Sequence, residues 1–425
     1  MHPACDADSM RWTPLPWTLV RASRSIVMLW LVGGFLAAGY GVLFTLLDDM
    51  RDEYGIGESA LGAVIGIGFV AGFVAQVTIA PLADRGHARA LVIVGMILNV
   101  VGLLVMAAAT SVVPLLAGRL VTGVAAGMAV PAIRRIVISA DPVNLGHNLG
   151  RLLAADVAGF AAGPALSAVL VGPFGIPAPF IVIAAANVIL LPFVVRTSVR
   201  EAVEAPKQRF AFDLLRKRSF AGAVALGCAV WLMIGSFDAL WSVALDDLDA
   251  SDWLANLGIT LFALPLVIFG SAGGRLAQRV GPFRVGTFGL ALAAGFMALY
   301  GVLPTAGAMF AVAMVHAVSD GLTVSSTGVA VGMVVPAERQ AGAQGVLGGL
   351  QTLTAGIAAP IIGTLYEHAG RTSAYTVSAL MMVVLIVVGA VLARGSFALR
   401  GGVVDAEPSE SVLTGTATVS PASPD

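Results

Sequence analysis

Charge is scarce in this 425-residue chain: Asp, Glu, Lys and Arg make up 12% of it, and lysine occurs only at Lys207 and Lys217. A formal net charge of -1 leaves no basic surface for a nucleic acid. Cysteine is confined to Cys5 and Cys228, which excludes a disulfide framework and any cysteine-based zinc site. Neither lysine follows a G-x-x-x-x-G-K run, so a nucleotide-binding P-loop is excluded as well. The sequence offers no His-rich metal constellation and no Ser-His-Asp arrangement, and no metal, cofactor or enzymatic reaction is expected. What the chain has instead is apolar surface. Hydrophobic residues reach 58% and mean hydropathy is +0.92, the range of an integral membrane protein.

A bilayer core takes about 20 apolar residues per spanning helix. Apolar stretches between charged or Gly/Pro-rich breaks give spans near residues 25–47, 58–80, 89–109, 112–132, 150–171 and 177–195. After a polar segment, six more follow near 220–244, 253–273, 284–303, 306–332, 342–365 and 374–393. The expected fold is therefore all-α, with twelve transmembrane helices in two six-helix bundles. Residues 1–24 form an N-terminal segment, 25–196 the first bundle, 197–218 a linker, 219–394 the second bundle and 395–425 a tail. Arg11, Trp12, Trp17, Arg21 and Arg24 suit an interfacial approach to the first span rather than a cleavable signal. If every span crosses, all Lys and Arg residues fall on the side of the N-terminus except Arg51, Arg371 and Arg119. Positively charged short loops stay inside, so both termini are expected in the cytoplasm, with the chain in the plasma (inner) membrane. The outer loops are acidic, as in Asp48, Asp49, Asp52 and Glu53 and again in Asp246, Asp247, Asp249 and Asp252. The Ser/Thr/Pro-rich stretch 401–425 has too little apolar surface to repay its ordering entropy. The linker, with Phe210, Phe212, Leu214 and Leu215 among basic residues, reads as a tether or a short surface helix.

The halves repeat each other in the same order at an offset near 196. Leu47-Asp48-Asp49-Met50 returns as Leu245-Asp246-Asp247-Leu248, and Leu82-Ala83-Asp84-Arg85 returns as Leu276-Ala277-Gln278-Arg279. GFAAGP at 159–164 returns as GIAAP at 356–360. With these motifs the chain resembles the major facilitator superfamily from about residue 25 to 395. The loop Ala80-Pro81-Leu82-Ala83-Asp84-Arg85-Gly86-His87-Ala88-Arg89 is similar to its G-x-L-A-D-R-x-G-R-R signature. Arg119-Leu120-Val121-Thr122-Gly123-Val124-Ala125-Ala126-Gly127 is similar to its R-x-x-x-G-x-x-x-G pattern. Gly159, Gly163 and Pro164 resemble the signature of proton-driven drug antiporters. The resemblance implies alternating access by two rocking halves, with Asp84, Arg85, Arg89 and Arg279 as a latch between them. Independently of it, Asp84 can accept backbone N–H groups at a helix start, and small residues four apart let helices approach closely.

An ionisable group at the bilayer centre costs on the order of 2.5–3.5 kcal/mol, so each one calls for an account. Arg119 lies seven residues into its span. His316 and Asp320 are four apart on one helical face, and His316 is the repeat counterpart of Arg119, which favours a cavity position. Asp238 stands among Trp231, Phe237 and Trp241. Asp156, near one end of its span, is expected to pair with Arg151 or Arg119. Tyr40 is the repeat counterpart of Asp238, with Gly39 and Gly41 beside it. The candidates for proton coupling are Asp238, Asp320, His316, Arg119 and Asp156, and those for the substrate cavity are Tyr40, Arg119, Asp238, Trp241 and His316. The expected activity is secondary active transport: proton-coupled export of a small, partly apolar organic molecule by a monomer. An organic-anion carrier that uses Arg119 and His316 is a second expectation, and a membrane sensor without transport a third.

Overall fold

The computed structural model describes residues 17–197, 199, 201 and 205–401, with the side chains of 17–24, 58, 252, 253 and 255–259 left aside. The expectations for residues 1–16 and for the tail beyond 401 lie outside this set. All described regular structure is helical. The first half runs through α1 (Trp17–Thr45), the short surface helix α2 (Leu47–Tyr54), α3 (Glu58–Thr78), α4 (Ala88–Ala107), α5 (Val112–Ala140), α6 (Leu145–Phe174) and α7 (Pro177–Arg196). The second half runs through α8 (Arg218–Asp246), α9 (Asp252–Val280), α10 (Pro282–Tyr300), α11 (Ala306–Thr323), α12 (Ser326–Val334) and α13 (Gln340–Ala393).

Among the described residues, eleven stretches are long and apolar enough to cross a membrane, and two features reconcile them with twelve expected spans. Helices α11 and α12 are separated only by Val324 and Ser325 and act as one span. Helix α13 has 54 residues, about 80 Å if straight, against a hydrocarbon core of about 30 Å. It is two spans. The chain turns at Gly370, with φ 77° and ψ 172°, a backbone region open essentially to glycine alone. The apolar periodicity also continues beyond the expected end of the fourth span: Ile133, Ile136, Val137 and Ile138 carry α5 to Ala140, just before Pro142. Arg134 and Arg135, expected in a loop, are consequently helical.

The two halves use the same packing plan. Helix α1 lies along α6, as α8 lies along the first limb of α13; α3 lies along α5, as α9 lies along α11; α4 lies along α7, and α10 also packs on α13. Large apolar side chains such as Ile189, Phe288 and Val384 point outward, as a lipid-facing surface requires. Between the halves, α6 packs on α9 and α3 on α13. The α6–α9 contact is backbone on backbone. A Cβ placed at Gly274 would stand 1.8 Å from Gly146 O, and one at Gly150 would stand 2.1 Å from Gly270 O. These contacts lie toward the end of the molecule that carries the α7–α8 linker, here termed the linker end. There Ala83, Leu145, Val329, Met333 and Ala341, drawn from both halves, share one buried cluster.

Replacement of Gly370 by Ala forces a side chain into a glycine-only conformation and should lower stability by about 1–3 kcal/mol. Gly363 lies within the first limb of α13 with nothing near its Cβ position, so Gly363→Ala should be neutral or slightly stabilising. Thermal unfolding of both variants in detergent checks the pair.

Candidate functional site

A helix start leaves N–H groups without partners, and three starts at the linker end have no side-chain cap of their own. Each is capped from elsewhere. After α3 the chain makes a tight 3-10 turn, Ala80–Arg85, ended by Gly86 at φ 85°. This turn buries Asp84 against the second half. Its Oδ1 accepts from the Ala341 N–H at 2.9 Å and its Oδ2 from the Gly342 N–H at 2.7 Å, at the start of α13. Arg135 Nε lies 3.2 Å from the same carboxylate. The repeat counterpart does the same job without a charge. Gln278 Oε1 accepts from the Gly146 N–H at 2.7 Å, and its Nε2 donates to Val143 O at 2.9 Å, at the start of α6. The third cap comes from the linker: Glu201 accepts from the Ala88 and Arg89 N–H groups at 3.0 and 2.9 Å.

The linker is thus tied to both halves. Arg85 Nη2 donates to Pro206 O at 3.0 Å. Arg339, just before α13, grips Asp213 through two 2.6 Å bonds and holds its carboxyl below the usual range. The only regular piece of the linker among the described residues is the 3-10 turn Phe212–Arg216, shorter than the surface helix its composition allowed. Arg279 is exposed, with no hydrogen bond or ion pair among the described residues; at this position Gln278 joins the halves.

The second group of residues lies deeper, between the halves. Arg119 is only 6% exposed, and its guanidinium stands over the Tyr40 ring at 4.5 Å and near Phe69 at 5.9 Å. Its placement depends on Gly68, where a Cβ would come 2.2 Å from Arg119 Nε. Among the described residues no carboxylate and no hydrogen-bond acceptor meets this guanidinium, and Nε is unpartnered. Phe44 and Phe160 extend the aromatic wall around Tyr40. Asp238, eight residues from the end of α8, is exposed rather than packed, and Tyr40 lies within electrostatic reach of both Asp238 and Arg119. Helices α1 and α8, which carry Tyr40 and Asp238, do not pack along each other, and the half-buried Tyr40, Phe44 and Phe160 with the exposed Asp238 mark the gap between the halves, here termed the cleft. Gly159 and Gly163 set one wall of it. Positions for a Cβ there fall 1.9 Å from Gly34 O and 2.3 Å from Gly41 C, which seats α6 against α1 beside Tyr40, with Pro164 following in the same helix.

The remaining charged residues lie elsewhere. His316 and Asp320 are 0% and 1% exposed, inside the second bundle rather than on the cleft. His316 Nδ1 meets Tyr300 Oη at 2.9 Å, and its Nε2 lies 3.4 Å from Asp320 Oδ2, while Phe262 and Phe296 close around the ring. Repeat equivalence with Arg119 pointed to a cavity position, but the register of α11 turns this face toward α10. Trp241 is likewise fully buried, stacked on Phe237 at 4.8 Å. Asp156 stands neither with Arg151, which lies over Trp30, nor with Arg119. Its charge acts on Arg134, in a small pocket with Gly33 and Leu152, because the longer α5 carries Arg134 inward. Sequence reasoning missed Gln278, Glu201, Tyr300 and Arg134 as partners. Only Arg134 had a usable signal, in the apolar periodicity that runs on to Ala140.

The Major Facilitator Superfamily model matches residues 29–243 and again 225–421. An uncharacterised MFS-type transporter of Methanocaldococcus jannaschii is 21% identical over 378 residues, covering 86% of this chain and 97% of that protein. Among solved structures, the human organic anion transporter MFSD10 superposes with a TM-score of 0.72 at 16% identity, covering 87% of this chain and 99% of its own. The E. coli fucose:proton symporter FucP gives 0.71 at 14% identity, with 88% and 99% covered. The proton:xylose symporter XylE gives 0.70 at 12% identity, with 87% and 95% covered.

Asp84→Ala removes two N–H acceptors from the start of α13 and should shift the molecule toward separation at the linker end by about 1–3 kcal/mol, roughly 5–150-fold in population. Gln278→Ala should shift it in the same direction by a smaller amount. Distances between spin labels on the α3–α4 turn and the α12–α13 connection report both. The Asp213–Arg339 tie involves a carboxyl with a lowered pKa, so its contribution is complete above the ordinary value of about 3.9 and is lost as pH falls through the lower one. Amide-exchange protection of residues 210–214 should hold from pH 7 to pH 5 and fall in stronger acid, except in Asp213→Asn, which should lack the acid step.

Proposed function

The chain belongs to the Major Facilitator Superfamily, and from that premise we propose that it is a proton-coupled secondary transporter that exports small organic molecules by alternating access. Family membership makes it a multi-pass membrane transporter of small molecules and not an enzyme. The orientation follows from the basic bias in the sequence, which assigns the linker end to the cytoplasm. On that assignment the conformation is closed toward the cytoplasm by the Asp84 and Gln278 caps and by the α6–α9 contact. The cleft with Arg119, Tyr40 and Asp238 then opens toward the outside.

The observation that carries the coupling role is the accessibility of Asp238. It is a carboxyl within an apolar span, among the described residues without a hydrogen bond or ion pair, on the half opposite Arg119. A proton bound there neutralises a charge that is costly in low dielectric, and a substrate can displace it. His316 and Asp320 have no such access, and their role in this reading is to hold α10 and α11 together. Release of the Asp84 and Gln278 caps exposes two helix starts to water, which can solvate them, so the inward-open state is reachable at modest cost. The linker must loosen in the same step, because it is bonded to both halves. A second reading, transport of an organic anion, is favoured by one observation: among the described residues Arg119 has no carboxylate partner.

Protein reconstituted in liposomes with an internal pH dye, challenged with cationic, neutral and anionic compounds, should show substrate-dependent proton movement. Asp238→Asn should abolish that movement, and Asp320→Asn should retain it in proportion to folded protein. Loss in Asp320→Asn with retention in Asp238→Asn would move the proton to the buried cluster and overturn the assignment. Absence of proton movement with every transported compound would rule out proton coupling.

A further inference from the structure

The cleft holds one positive and one negative side chain that do not meet each other. Arg119 is more than nine-tenths buried, and among the described residues its guanidinium meets ring faces and no acceptor. A cation in that condition is far from its best state, because stacking on an aromatic ring offsets only part of what a hydrogen-bonded carboxylate partner contributes in a dry site. Asp238 is accessible and, among the described residues, also without a hydrogen bond or salt bridge. The two belong to different halves, Arg119 to α5 and Asp238 to α8, and Tyr40 lies within electrostatic reach of both. Around them the walls are aromatic, from Phe44, Phe69 and Phe160.

We propose that this cleft is a binding site for an amphoteric small molecule with an apolar or aromatic body, whose carboxylate pairs with Arg119 while its ammonium pairs with Asp238. The assignment rests on the transport reading above and adds the chemical class of the substrate. A guanidinium and a carboxylate presented separately are both satisfied only by a ligand carrying one charge of each sign. A simple anion gives Asp238 no cationic partner to take the place of its proton, and a simple cation leaves Arg119 bare. A ligand held at both ends also links the two halves across the cleft where they do not yet pack, which favours closure on the outer side. The exchange is balanced in charge: when the ammonium arrives at Asp238, one proton leaves it. Tyr40 has its ring under the guanidinium, so it keeps Arg119 oriented when the site is empty.

The test uses the full-length protein in nanodiscs with four probes: L-phenylalanine, 4-(aminomethyl)benzoate, N-acetyl-L-phenylalanine and L-phenylalaninamide. The first two are zwitterions with short and long charge separation, the third is an anion and the fourth a cation. Binding is read from the ligand-dependent rise in unfolding temperature. At least one zwitterion should bind at least tenfold more tightly than either singly charged probe. Arg119→Gln should abolish that preference and Arg119→Lys should retain part of it. Asp238→Asn should bring the zwitterion and the anion to equal affinity. A singly charged probe that binds as tightly as both zwitterions, or a zwitterion preference that survives Asp238→Asn, overturns the proposal, as does the absence of binding by all four at millimolar concentration. If the preference holds but no proton moves in liposomes, the substrate class stands and proton coupling is what fails.

Discussion

The closed arrangement depends on the backbone N–H groups at three helix starts. Helices α4, α6 and α13 each begin at the linker end without a local cap, and each receives an acceptor from a distant part of the chain. Asp84 and Gln278 cross between the halves in opposite directions, so two pseudo-symmetric caps close one end. The interaction is directional and short, and it involves groups that water can satisfy equally well. Such contacts can be broken and remade without leaving a buried polar group bare, which a gate needs and a permanent interface does not.

Much of this fold was legible in the residues. Apolar runs marked the spans, and the repeat of Leu82–Arg85 at Leu276–Arg279 marked the two equivalent turns, with Asp84 read as an acceptor for a helix start and Gln278 not read as one. The limits have physical causes. The end of α5 was set too early because two arginines interrupted the hydropathy, while the i, i+3 and i, i+4 spacing of isoleucine and valine continued through them. Repeat logic failed for His316, since equivalent positions share a height in the membrane but not a helical facing. Caps supplied from a distance, such as Glu201 on α4, leave no local sequence pattern.

The halves divide the work unevenly. The first contributes the cation, the aromatic wall and the carboxylate cap; the second contributes the accessible acid and the neutral cap. Gly159 and Gly163 are structural in this scheme, yet they bear directly on the cleft, because the depth to which α6 settles on α1 fixes where Tyr40 stands relative to Arg119. The buried Tyr300–His316–Asp320 group serves the second bundle in a comparable way, joining α10 to α11 behind the cleft wall.

The contact between α6 and α9 has a mechanical consequence. Side chains that interlock must disengage before two helices can rotate, and every disengagement adds a step to the motion. Gly146, Gly150, Gly270 and Gly274 offer no such teeth; two smooth backbones rest directly on each other. This junction behaves as a bearing. The halves can roll on it with continuous contact, and the barrier to their motion is concentrated in the hydrogen bonds that cross it, at the Asp84 and Gln278 caps and between His147 of α6 and Ser271 and Arg275 of α9.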